Sequence, residues 1–148
     1  MFNFRLYNEA TDRDDAARCW EARKQFPVAP RLIPEASSFV AADDGNKLLA
    51  LAVFYVAVDA PVAMLSWLVT RPELPPKIAH QAVSVVIEGA LYCLDDQRIE
   101  LVLSRLSNHS VLPILERQGF TPTHEVKTEM ARVRTFPPLQ EEKQDETI

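Results

Sequence analysis

A carboxylate and an imidazole stand seven residues apart in the stretch VTRPELPPKIAHQAV, residues 69–83: Glu73 and His80. Glu73 follows an apolar run and His80 opens a helical pattern, so either can act as a general base if exposed. Lys77 lies between them and can offer a cation to an anionic group, although it also fits the solvent stripe of a helix. Each of the three has an ordinary alternative as a cap or surface residue. Metal chemistry has less to work with. Cys19 and Cys93 lack CxxC or His-paired spacing, and His80, His109 and His124 are scattered, so no metal site is expected. Tyr55 and Tyr92 are expected to pack in the interior with the hydroxyl at a wet edge.

Elements must hold these groups, and the hydrophobic patterning supplies them. FNFRLY alternates as a strand, and the helix after it is expected to begin near residue 12, with Thr11 and Asp14 as a capping box. Pro27, Pro30 and Pro34 make residues 27–38 a loop with room for one helical turn. Two apolar runs flank DDGN, where Gly45 and Asn46 tolerate positive φ, so a hairpin is expected. Its second arm, residues 47–58, is apolar nearly throughout and reads as a central strand covered on both faces. Residues 62–70 read as a further buried strand, and residues 77–96 as a long helix with Lys77, Gln81, Ser84 and Glu88 on its polar stripe. A strand in RIELVLSRL, a short helix in HSVLPILERQ and a last strand in EVKTEMARV complete the order, with Ser110 as a helix cap and Pro113 in the first turn.

The resulting fold class is α/β: a single mixed, mostly antiparallel twisted sheet flanked by helices. With 148 residues and 47% hydrophobic content the chain suits one domain, assigned to residues 1–136, and the acidic stretch 137–148 reads as a disordered tail. The net charge is -5, of which QEEKQDETI carries -3, so nucleic acid is not an expected partner. No apolar run approaches a membrane span and MFNFRLYNEATDRDD has no signal-like pattern, so a cytoplasmic protein is expected.

The element order and several phrases resemble the GNAT superfamily of N-acyltransferases over about residues 4–133. NHSVLPILERQGF is the most specific of them: it is similar to the family's closing segment, with Asn108 before a helix and Gly119 and Phe120 beyond it. Gly119 also sits where a helix end favours positive φ. FVAADDGN and EMARV match the early hairpin and final strand.

The resemblance implies that acetyl-CoA binds along the main chain of Leu68, Val69 and Thr70 and at the helix start around Lys77 and Ile78, with Asn108 in the closing segment. It also implies an acyl acceptor that is a small-molecule or protein amine. LVTRPELPPKIAH occupies the family's pyrophosphate turn, but the chain's three glycines, Gly45, Gly89 and Gly119, all lie elsewhere. Pro75 and Pro76 remove two N–H donors from that turn. The position of the family's acid tyrosine falls on Leu115, which cannot donate a proton. Two classes of function therefore stand side by side: a diverged N-acetyltransferase, and a GNAT-fold module that has lost its cofactor and grips a protein, as a phage-type assembly protein would. Trp20, Trp67 and Phe136 are candidates for a homodimer contact, with burial in the core the alternative for Trp67.

Overall fold

The computed structural model describes residues 2–106, 110–123 and 129–139. Strand β1 (Asn3–Leu6) leads into helix α1 (Glu9–Ala22). The helix begins earlier than the Thr11 and Asp14 pattern suggests. Asn8 is the cap, its side chain accepting from the N–H groups of Ala10 and Thr11, while the Asp12 carboxylate accepts from the Asn8 N–H at 2.8 Å. Asp12 is thereby fixed for a second task, a two-pronged pair with Arg5 of β1 at 2.7 and 2.8 Å. Two short 3-10 turns, Pro30–Leu32 and Glu35–Ser37, occupy the proline-rich loop.

Strands β2 (Ser38–Ala42) and β3 (Leu48–Val56) form the hairpin around DDGN. Asn46 carries the positive φ, at 61°, while Gly45 stays on the ordinary side. β3 is buried from Leu48 to Phe54, because both of its faces are covered. Ala50, Ala52 and Phe54 join the core under helix α2 (Pro76–Asp96), whereas Leu51 and Val53 join Trp20, Ala16 and Cys19 under α1. Alternation in a strand sends successive side chains to opposite faces, so this one run supplies two cores. α1 and α2 therefore lie on opposite sides of the sheet.

The sheet has seven strands in the order β1-β2-β3-β4-β5-β7-β6, with β4 (Val62–Thr70), β5 (Leu101–Ser104), β6 (Thr121–Pro122) and β7 (Met130–Val133). Every pairing is antiparallel except β4 with β5, which α2 connects as the crossover a parallel pair needs. α3 (Leu112–Arg117) starts after Val111 without a side-chain cap, so Ser110 does not take the capping role expected of it, while Pro113 does fall in the first turn. Gly119 follows the helix with φ 93°, and Phe120 turns back into the core. Arg132 of β7 locks this end of the molecule: it is buried, meets Asp95 of α2 at 2.7 and 2.9 Å, and donates through Nε to the Gln118 carbonyl at 2.9 Å.

Two readings of side-chain environment change. β4 is only partly buried: Ala63, Leu65 and Val69 are buried, and its other residues are half-buried. Tyr92 is exposed on α2, and Tyr55 lies at the surface with its hydroxyl donating to the Leu32 carbonyl at 2.8 Å.

Candidate functional site at a split between two strands

The open space beside β4 begins with a single extra residue. Val53 faces Trp67 and Phe54 faces Leu65, so Ser66 has no counterpart on β3 and forms a bulge. A bulge reverses the facing of every side chain beyond it. Ala63 and Leu65 pack under α2, whereas Trp67 and Val69, at the same parity, pack under α1. The half-buried Trp67 meets the fully buried Trp20 edge to face, with ring centroids 6.2 Å apart.

The same residue marks where the parallel strands part. β4 and β5 are paired from Val62 and Leu101 to Leu65 and Ser104, and among the described residues the pairing ends there. Residues 67–70 thus keep β3 on one side and leave their β5-facing N–H and C=O groups without a strand partner. A cleft of about 520 Å³ fills the split. Its walls are Ser66 to Thr70 of β4, Arg105 and Leu106 beyond β5, Pro76, Ala79, His80 and Val83 of α2, and Ser110, Val111 and Ile114 at α3. Arg23 and Gln25, at the end of α1, close the far side.

The sequence-derived candidates divide accordingly. Leu68, Val69, Thr70 and His80 line the cleft; Glu73, Lys77 and Ile78 stand outside its lining. Asn108 lies outside the described residues, as do His109 and His124. Glu73 is exposed in the turn after β4 with φ 71°, a left-handed conformation that glycine adopts more readily. His80 is exposed, and its Nε2 lies 3.4 Å from Arg117 Nη2. A guanidinium has only donors, so as a hydrogen bond this contact requires the imidazole lone pair on Nε2. His80 would have to leave Arg117 before using that lone pair as a base.

The start of α2 offers fewer donors than a helix N-terminus ordinarily does. Of its four leading positions, Pro75 and Pro76 have no N–H, and the next amide, that of Ala79, makes the first helix bond to the Pro75 carbonyl at 3.0 Å. The amides of Lys77 and Ile78 remain, and the Lys77 side chain is exposed beside them. Leu115 is fully buried, and none of the three tyrosines, Tyr7, Tyr55 and Tyr92, lines the cleft.

Arg23, Gln25 and Arg105 are site residues that the sequence did not reveal. Arg105 is paired with Glu129 at 2.7 Å. Arg23 reaches Thr70 Oγ1 at 3.3 Å. Their signal is tertiary: one ends α1 and the other ends β5, 82 residues apart in the chain. Among the described residues no group of three His, Cys, Asp or Glu side chains is placed to hold a metal, and no helix is long and apolar enough to cross a membrane.

No family model matches the sequence, and it has no match among curated proteins. Solved structures do match over nearly the whole chain. The ribosomal-protein-S18-alanine N-acetyltransferase of Escherichia coli is similar with a TM-score of 0.72 and 16% identity, over 95% of this chain and 98% of that one. A GNAT superfamily phosphinothricin acetyltransferase from Sinorhizobium meliloti, solved with AcCoA, gives 0.68 and 12% over 98% and 97%. An N-acetyltransferase of Thermoplasma acidophilum, solved with coenzyme A, gives 0.64 and 12% over 90% and 99%. The chain therefore has a GNAT-like fold, with a seven-stranded mixed and mostly antiparallel sheet between helices.

Proposed function

From that fold and its split sheet, we propose that the protein is a diverged N-acyltransferase that binds acetyl-CoA in the cleft and transfers its acetyl group to a small-molecule or protein amine. The observation that carries this is the parting of β4 from β5 at the Ser66 bulge, which leaves a row of unpaired backbone groups facing a cleft large enough for a ligand. An extended amide-containing arm can bond to such an edge as a further strand does. The main chain of Leu68, Val69 and Thr70 would hold the arm, and the Lys77 and Ile78 amides with the Lys77 ammonium would hold its phosphates.

The thioester supplies an activated acyl carbon: the new C–N bond forms as the C–S bond breaks, and the thiolate leaves and takes a proton. The protein's own contribution is to place the amine and accept its proton. His80 is the better placed of the two bases, since it lines the cleft whereas Glu73 does not. No tyrosine stands at the cleft to protonate the thiolate, so water entering the open cleft serves as the acid in this reading. Slow turnover is the expected consequence, because a positioned acid typically contributes about 10²-fold or more.

A second reading is a cofactor-free module that binds a protein through the same cleft. Pro75, Pro76 and Leu115 favour it together, because they remove phosphate donors and the acid at once. Calorimetric titration of acetyl-CoA and of coenzyme A, with Lys77→Ala as control, separates the two. The acyltransferase reading expects binding near micromolar, about -8 kcal/mol, weakened in the control. No heat at millimolar ligand, in protein shown to be folded, refutes it and favours the binding module.

A further inference from the structure

The charged groups of the cleft share one sign. Arg23 and Arg105 line it and, among the described residues, no carboxylate does, in a chain whose net charge is -5. Their partners differ. Arg105 is neutralised by Glu129, and Arg71, just past β4, is paired with Asp43. Arg5, Arg13 and Arg132 likewise each meet a carboxylate. Arg23 does not: among the described residues its exposed guanidinium makes one hydrogen bond, to the Thr70 hydroxyl at 3.3 Å, which leaves most of its five donors to solvent.

The position of Arg23 is as informative as its charge. Trp67 and Val69 face the α1 side because of the bulge, whereas Thr70 pairs with Ala50, which belongs to the α2 side. Arg23 extends from the end of α1 to Thr70, so its guanidinium crosses the open end of the split. The backbone amides of Lys77 and Ile78 lie on the α2 side, and Gln25 and Trp67 line the cleft with Arg23 on the α1 side. Backbone amides and Lys77 thus stand on one side, next to the lining residues Pro76 and Ala79. The other offers an unpaired guanidinium, an amide side chain and aromatic surface.

We infer that the α1-side mouth binds the acceptor and that Arg23 selects an amine bearing a carboxylate, such as a free amino acid with an apolar side chain. This rests on the acyl-transfer reading in taking the ligand of this mouth to be the acceptor. A guanidinium grips a carboxylate with two parallel hydrogen bonds, and Trp67 gives an apolar body a surface to lie against. Arg23 also ends α1, where a cation is favoured by the helix dipole, and that ordinary role would affect stability without choosing a ligand.

The test compares phenylalanine with phenylalaninamide, which differ at the carboxylate alone, by calorimetry and by tryptophan fluorescence; the chain's two tryptophans include Trp67 at the site. Phenylalanine should bind about tenfold or more tightly than its amide. Arg23→Ala should abolish that preference while leaving coenzyme A affinity and the thermal midpoint within error, and Arg23→Lys should keep part of it. Equal binding of acid and amide by the wild type, or no binding of either, overturns the inference. So does an Arg23→Ala variant that loses coenzyme A affinity instead, which would assign the guanidinium to the cofactor's phosphates. Carboxylate preference with no binding of acetyl-CoA would leave the anion site standing and overturn the acyltransferase reading alone.

Discussion

Gly89 sits in the middle of α2, where alanine ordinarily stabilises a helix by about 1 kcal/mol over glycine. Here the tertiary neighbour reverses the expectation. A Cβ added at Gly89 would lie 2.5 Å from two ring carbons of Phe4 and 2.7 Å from Cγ, about 1 Å inside ordinary carbon contact. Because Cγ is among the clashing atoms, swinging the ring tip does not relieve the overlap; the whole ring must shift. It is stacked on Phe39, with centroids 5.6 Å apart and planes at 16°, and Phe39 packs in turn on Phe54. Overpacking of this kind costs about 1–3 kcal/mol. Set against the helix gain, Gly89→Ala should destabilise by roughly 0–2 kcal/mol, lowering the midpoint by up to about 8 °C in a domain of this size. A double-mutant cycle in urea isolates the cause. In a Phe4→Ala background the clash is gone, and Gly89→Ala should then stabilise by about 1 kcal/mol. If Gly89→Ala stabilises the wild type as much as it stabilises Phe4→Ala, the close approach of β1 and α2 is not what keeps glycine at this position.

Three further outcomes follow from the same geometry. The Arg132 guanidinium beside Asp95 holds that carboxyl below its usual range, so the pair's stabilisation is complete above the unfolded value near 3.9 and is lost as pH falls through the lower folded value. Asp95→Asn should flatten the acid limb of a stability-versus-pH curve and, by leaving the buried Arg132 short of its charge partner, cost about 3 kcal/mol at neutral pH; an unchanged acid limb would count against the pair. Burial pushes the Cys19 thiol up to about 11, so iodoacetamide at pH 8 should leave Cys19 unmodified by mass spectrometry until the protein is unfolded. Pro76→Ala restores one N–H at the start of α2 and should tighten coenzyme A binding by roughly tenfold at a stability cost of about 1 kcal/mol or less; unaltered affinity would mean that the phosphates do not meet this helix.

Most of the elements and the core were legible in the sequence, because hydrophobic period and turn chemistry are local; the two-residue β6, Thr121 and Pro122, was not, since it is too short to carry a strand pattern. The apolar run from Leu48 to Phe54 could satisfy alternation only with cover on both faces, and it has that cover. Pro75 and Pro76 announced a helix start with few donors, and of the residues expected to take positive φ, Asn46 and Gly119 do and Gly45 does not. What local patterning could not give was the cleft. Ser66 is an ordinary residue in an apolar strand until its pairing with β3 shows it to be extra, and that one slip turns Trp67 to the α1 side, where it packs on Trp20 and also walls the cleft. Register is a property of two strands together, so neither sequence segment encodes it alone. Arg23 and Arg105 came to the site in the same way, from the ends of elements far apart in the chain, and only the folded sheet decided which cations face the split and which of them already had a carboxylate to hold.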